Sequence, residues 1–401
     1  MTIKVELGFT ADGQGAPFLT LDDPVLGRLD DPTVFLGGGE VFVDVSEFFE
    51  AYSISRGKSR ELDRYQTGQA SVRFENSQRT FDPTYEASPY FGQIVPKRKV
   101  RITNGGVIQF EGSIEDWNIE YEPGGKSVAV AQAFDAFAFL SSVNFTGTFS
   151  EEKTGDRINA VLDAINWSEA RRQIGNTGAD LAAQTVEDET SVIGYLQTAA
   201  RSEPGELFAA KNNDIKLIGR NVGFTSDGLT FRHDGTGIPY KTIAAVFGSE
   251  LLFNRAIVSS SAGTAIAENS TSIQRYGERD LEEETLLGDT DQLETLAGYL
   301  VQRYANPEFR FEAITTDLKD LSPTNKAGVL ALELGDVVEV KFTPSGVPPV
   351  IERYGKVIGL SQSISNSAEE VVLRLETTAG GLFVLDDPEF GRLDQDNLLG
   401  W

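Results

Sequence analysis

The stretch Trp117-Asn118-Ile119-Glu120-Tyr121-Glu122-Pro123-Gly124-Gly125-Lys126-Ser127-Val128-Ala129-Val130 decides the fold class. Trp117, Ile119 and Tyr121 alternate with polar residues up to Pro123-Gly124-Gly125, and Val128 and Val130 alternate after it. Alternation puts successive side chains on opposite faces of a strand, and the Pro-Gly-Gly break turns the chain back, so the stretch reads as a β-hairpin. The same period continues outward. Ala70, Val72 and Phe74 alternate with Ser71, Arg73 and Glu75, and Val100 and Ile102 follow. Near the end Val338, Val340 and Phe342 repeat the pattern, as do Val371, Leu373 and Leu375.

Between these regions the period changes to that of a helix. Ile158, Val161, Leu162 and Ile165 share a face behind Thr154-Gly155-Asp156, and Val192, Leu196 and Ala199 share one over residues 190–201, stopped by Pro204-Gly205. A third helix is predicted over 289–304, with Leu293, Leu296, Leu300 and Val301 as its stripe and Asn306-Pro307 as its end. Leu207-Phe208-Ala209 and residues 215–217 read as a hairpin over Asn212-Asn213-Asp214. The class is α+β, mainly β, with several small β-barrel or sandwich domains and a few helices.

Composition bounds the rest. At roughly 100–200 residues per domain, 401 residues make about two to four domains. The boundaries read as an extended N-terminal arm over 1–40, a β-barrel-like domain over 41–149, an α+β domain over 150–255, a β-rich domain with one long helix over 256–380, and a docking tail over 381–401. The arm is inferred from the density of breakers: Gly8, Gly13, Gly15, Pro17, Pro24, Gly27, Pro32 and Gly37-Gly38-Gly39. Within it, residues 1–7 alternate like a strand and do not form a signal peptide. No apolar run approaches the about 18 residues that a membrane helix needs. The 61 acidic residues outnumber the 35 basic ones for a net charge of -26, a surface that repels phosphate and anionic lipid. The absence of cysteine excludes disulfides, zinc–thiolate sites and thiol catalysis.

Candidate chemistry is sparse. His233 is the only histidine, there is no G-x-S-x-G elbow, and one histidine cannot build a multi-histidine zinc site. Glu203 and Glu206 flank a Pro-Gly turn and Glu282-Glu283-Glu284 form a run, but neither has a diagnostic spacing, and a solvated acidic face accounts for both. Lys97, Arg98, Lys99 and Arg101 form the one basic cluster, without the interleaved aromatics of a nucleic-acid surface. They are expected to pair with acidic groups of the chain or of a neighbour. No catalytic, metal or cofactor residue is assigned.

One internal repeat stands apart. Leu21-Asp22-Asp23-Pro24-Val25-Leu26-Gly27-Arg28-Leu29-Asp30 recurs as Leu385-Asp386-Asp387-Pro388-Glu389-Phe390-Gly391-Arg392-Leu393-Asp394, with eight of ten positions identical. It is either a recurring local turn or a docking tag used twice. In the second case Leu21, Asp22, Asp23, Pro24, Leu26 and Leu29, with Leu385, Asp386, Asp387, Pro388, Phe390 and Leu393, form the docking interface.

A set of motifs carries a family resemblance. Arg60-Glu61-Leu62-Asp63-Arg64-Tyr65-Gln66-Thr67-Gly68-Gln69-Ala70 leads into Val72-Arg73-Phe74-Glu75-Asn76, followed by Arg79-Thr80-Phe81-Asp82-Pro83, Ser88-Pro89-Tyr90-Phe91-Gly92 and Ile94-Val95-Pro96. Glu203-Pro204-Gly205-Glu206-Leu207-Phe208, Ser272-Ile273-Gln274-Arg275-Tyr276-Gly277 and Leu334-Gly335-Asp336-Val337-Val338 complete it. In this order, over about residues 20–395, the chain resembles minor tail proteins of actinobacterial siphophages, of the baseplate-hub or tail-associated kind. The resemblance implies a β-barrel-containing, non-enzymatic virion protein that forms a ring, typically a homotrimer, on the tail axis. Such a hub links the tail tube or distal tail ring to the central fibre or receptor-binding proteins, and the tape measure is a further expected neighbour. It is made in the bacterial host cytoplasm, sits at the tail tip, needs no cofactor and does not insert into membrane. Some members carry an added cell-wall-cleaving or host-binding domain; this chain, ending at Trp401, is expected to hold the hub alone. An acidic lumen would let DNA pass without tight binding. The rival readings are a distal tail ring protein, a host-glycan-binding protein and a cell-wall-degrading protein. The last would need aromatics lining a cleft, and Trp117, Trp167 and Trp401 are scattered.

Overall fold

The computed structural model describes residues 2–10, 40–123, 126–219 and 226–378. Thirteen strands form one sheet. Its path runs Thr242–Phe247, Phe309–Asp317, Glu369–Thr378, Ile351–Ser365, Phe49–Gly57, Gln66–Glu75, Ser127–Phe134, Val107–Tyr121, Lys99–Asn104, Ile3–Thr10 and Glu40–Asp44. Val337–Phe342 pairs with the first part of Ile351–Ser365, and Ser226–Arg232 adds to it in parallel. The class is α+β with β in the majority. The small barrels expected from the strand pattern are not separately closed: among the described residues the strand path runs open from Thr242–Phe247 to Glu40–Asp44, and Ser226–Arg232 ends a side branch.

The physical reason lies at one seam. The strands Phe49–Gly57 and Ile351–Ser365 pair antiparallel, with Tyr52 opposite Ile364 and Gly57 opposite Gly359. A bulge between Val357 and Gly359 bends the second strand, so one part of it reaches Val337–Phe342 and the other reaches Phe49–Gly57. Gly57 has φ 101°, and a Cβ there would lie 2.3 Å from the Ile358 carbonyl oxygen. Only glycine lets the two backbones meet this closely.

The hairpin read from Trp117 to Val130 is present, with Trp117 opposite Ala131 and Tyr121 opposite Ser127. Its second strand turns Ala129, Ala131 and Ala133 inward, while Val130 is only half-buried. Ala70, Val72 and Phe74 are buried in alternation, as read. The first part of the segment expected as an arm, Ile3–Thr10, is a strand between Glu40–Asp44 and Lys99–Asn104, with Val5, Leu7 and Phe9 fully buried. Residues 11–39 lie outside the described set.

Two smaller units pack against the sheet. One holds the helices Thr154–Ala164 and Val192–Arg201 and the hairpin Glu206–Ala209 with Ile215–Ile218, each close to its predicted place. The other packs the helix Thr290–Tyr304 on the strands Arg255–Ser260, Gly263–Glu268 and Asp280–Glu284. Three further helices, Ala136–Ser142, Ser270–Tyr276 and Pro323–Ala331, carry no long apolar stripe. Side-chain caps start them instead: Asp135, Asn269 and Ser322 each accept a backbone N–H of the first turn.

Candidate assembly interface

The sequence candidates for chemistry all resolve into structure. His233 is exposed on a turn with its ring 6.0 Å from Phe342 and 6.4 Å from Tyr240. The adjacent Asp234 accepts from Thr236 and Arg232, which orients it into its own turn. Glu203 is buried and accepts the Ala179 N–H at 3.1 Å. Glu282 and Glu284 are exposed on a strand, while Glu283 pairs with Arg201. Among the described residues no group of three or more His, Asp or Glu could hold a metal ion, and no helix is long and apolar enough to cross a membrane. The docking residues chosen from the repeat, 21–29 and 385–393, lie outside the described residues.

Glu206 belongs to a buried ionic junction that sequence reading missed. Lys356 Nζ lies 2.9 Å from Glu206 Oε1 and 3.1 Å from Glu376, and Lys58 Nζ lies 3.4 Å from Glu206. Lys58 also donates to the Glu61 carbonyl at 2.7 Å. The Glu61 carboxylate in turn accepts from Arg303 at 3.0 Å and Tyr304 at 2.9 Å. These groups come from the sheet, the loop after its strand Phe49–Gly57, the 206–209 hairpin and the 290–304 helix. An unpaired buried charge costs several kcal/mol, so each unit can dock only where its counter-charge waits. Burial works to raise the Glu206 carboxyl, but the ammonium groups of Lys356 and Lys58 outweigh it and hold it at about 2. Burial pushes Glu61 up, with Glu376 adding to the rise and Arg303 opposing it.

A second chain of charges lies beside it. Arg56 reaches Glu333 at 2.9 Å and the Ala209 carbonyl at 2.6 Å, and Lys211 donates from its backbone to Glu333 and from Nζ to the Leu330 carbonyl. Burial brings Lys211 down to about 8 against the pull of Glu333. Asp135 accepts Gly68 N–H at 2.7 Å and Phe137 N–H at 3.0 Å, yet burial raises it to about 7 despite Arg56 and both bonds. Scattered single charges such as Lys58 and Lys356 carry no local pattern, so only the fold brings them together.

The outward-facing counterpart is the connection over residues 76–98, between the strands Gln66–Glu75 and Lys99–Asn104. Connections this long without regular structure are uncommon in compact domains and are usually functional. This one is rigidly pinned. Phe81 is fully buried, stacked 4.7 Å from Phe74 and 5.9 Å from Trp117, and Tyr90 lies 5.0 Å from Phe9. Asn76 accepts the Phe81 N–H, Ser88 donates to the Thr80 carbonyl, and Asp82 binds Arg79, Thr84 and Tyr121. Burial opposes ionisation of Asp82, but these donors, Tyr121 foremost, hold its carboxyl well below the usual range. The loop that results presents Phe91, 47% exposed, and Val95, 38% exposed, to solvent. Beside them the basic cluster begins: Lys97 pairs with Glu115 at 2.5 Å, and Arg101 pairs with Glu111 at 2.9 Å while lying over the Phe42 ring.

The fold has solved counterparts. A tail protein from Neisseria meningitidis MC58 superposes with a TM-score of 0.61 at 12% identity, over 95% of this chain and 98% of that one. The 43 kDa tail protein of prophage MuSo2 from Shewanella oneidensis gives 0.59 at 12% identity, over 94% and 97%. No protein-family model matches the sequence, and no curated protein is significantly similar to it. From one end of its described sheet to the other, the chain has the fold of these two tail proteins.

Proposed function

We propose that this chain is a structural protein of a phage tail, the tail-tip hub of a long-tailed, non-contractile phage. It self-assembles into a ring, a homotrimer, and links the tail tube or distal tail ring to the central fibre or receptor-binding proteins. The observation that carries the reading is the likeness of fold to tail proteins along nearly the whole length of both chains. The arrangement of the surface supports it: the pinned loop over 76–98 exposes apolar side chains on a rigid base, which lowers the ordering cost of association. The test is the mass and rotational symmetry of the purified protein, by light scattering and electron microscopy. A three-fold particle is expected. A six-fold ring would point to a distal tail ring protein and overturn the hub reading.

A further inference from the structure

The large sheet stops at two strands that carry little protection. Thr242–Phe247, at one end of its path, pairs only with Phe309–Asp317, and Glu40–Asp44, at the other, pairs only with Ile3–Thr10. Each therefore leaves one row of backbone N–H and C=O groups open among the described residues. Such a row recruits a further strand, and proteins usually blunt it with Lys, Pro or a bulge. Thr242-Ile243-Ala244-Ala245-Val246-Phe247 has neither charge nor proline, in a chain of 35 basic and 61 acidic residues. Its one irregularity is a register shift between Ala244 and Ala245, and Lys241 just before it is held by Asp317 at 2.9 Å. Val41-Phe42-Val43 is equally bare, and the pairing of Glu40–Asp44 with Ile3–Thr10 has no register shift.

The side chains point to the same edges. Phe247 lies opposite Phe309, whose ring is 5.8 Å from that of the buried Phe311, so an aromatic row runs from the core to the rim of the sheet. There Phe247 is 68% exposed, the most exposed large apolar side chain among the described residues. At the other end Val41 is 37% exposed. One contact between copies covers both edges, whereas an unrelated partner on either edge leaves the other open. Copies that each carry a net charge of -26 repel one another, and two uncharged edges are where they approach at least cost.

We propose that Thr242–Phe247 of one copy pairs as a β-strand with Glu40–Asp44 of the next, burying Phe247 and Val41 in the join. Backbone pairing supplies the register, and the exposed apolar side chains supply the contact. The join links two different strands, so repeating it generates a ring wherever the rotation closes. This rests on the proposed self-assembly and deepens it by naming the surface.

The chain has no cysteine, so introduced cysteines report this contact alone. In the full-length chain Val41→Cys is combined in turn with Ala244→Cys, Ala245→Cys and Phe247→Cys, treated with a short bismaleimide, and sized under denaturing conditions. At least one pair is expected to give covalent multimers, and each single variant to stay uncross-linked. F247K and V41K are each expected to weaken self-association at least about tenfold in analytical ultracentrifugation, with the circular dichroism spectrum unchanged. Lysine lowers the net charge, so general repulsion does not account for such a loss. A stable ring that no pair cross-links, or that is indifferent to both lysine variants, overturns this contact and leaves the proposed function standing. Cross-linking of Ala245→Cys to itself also overturns the contact, because it shows like edges meeting. A chain that stays monomeric at every concentration overturns the contact together with the proposed ring.

Discussion

Replacing Glu206 with Gln removes the charge that two buried ammonium groups share, and the structure sets the size of the effect. Lys356 and Lys58 lie 2.9 Å and 3.4 Å from Glu206 Oε1. In the variant Glu376, at 3.1 Å and 3.9 Å, is the carboxylate that both still share, and Lys58 keeps its bond to the Glu61 carbonyl. Breaking a buried pair by removing one partner costs roughly 3–5 kcal/mol. The carboxyl gives a second route to the same number: held at about 2 against an ordinary 4.5, it contributes about 3 kcal/mol at neutral pH. The sign follows from the direction. A depressed carboxyl stabilises the folded state fully above about 4.5, and that contribution is lost as pH falls towards about 2. Urea unfolding followed by circular dichroism should therefore show E206Q about 3 kcal/mol less stable at pH 7, with the gap to the wild-type chain closing as the pH is lowered from 4.5. Amide exchange at Leu207 and Phe208, in the strand that carries Glu206, should report the same loosening locally. A loss under about 1 kcal/mol at pH 7, or a gap independent of pH, would refute the view that this junction holds the units together.

Three other outcomes follow from the same structure. The Asp135 carboxyl is raised by burial to about 7, so its contribution is greatest below about 3.8 and falls as pH rises towards about 7; in D135N urea unfolding should lose that pH dependence, so the variant's stability relative to the wild-type chain should rise between about pH 4 and pH 7. Gly155→Ala should destabilise by about 1–3 kcal/mol in urea melts although alanine is the better helix former by roughly 1 kcal/mol, since its Cβ would lie 1.7 Å from the Gly175 carbonyl oxygen. Deleting residues 1–40 would remove the buried strand Ile3–Thr10, so the docking idea for the repeat is tested by removing 21–30 and 385–394 instead: soluble protein that fails to join tails is the expected result, and normal tail assembly would sink the idea.

How much was legible in the sequence follows the range of the forces involved. The 117–130 hairpin, the 66–75 strand and the helices near 154–164, 192–201 and 290–304 are local patterns. Period-two and period-3.6 apolar spacing, closed by Pro-Gly, Pro123-Gly124-Gly125 or Asn306-Pro307, is a property of neighbouring residues, and neighbouring residues are what a sequence displays. The strand-like alternation of residues 1–7 was legible too; what the sequence did not show is that this strand belongs to the sheet, held by its pairing to residues 100–104. What only the tertiary structure decided is the seam between 49–57 and 351–365, which turns expected separate barrels into one sheet. It also decided the meeting of Lys58, Glu206, Lys356 and Glu376, and the pinning of Phe81 beneath an outward Phe91. Contacts between residues hundreds of positions apart leave no period in the sequence, because the free energy that selects them comes from desolvation and backbone pairing that exist only once the chain has closed on itself.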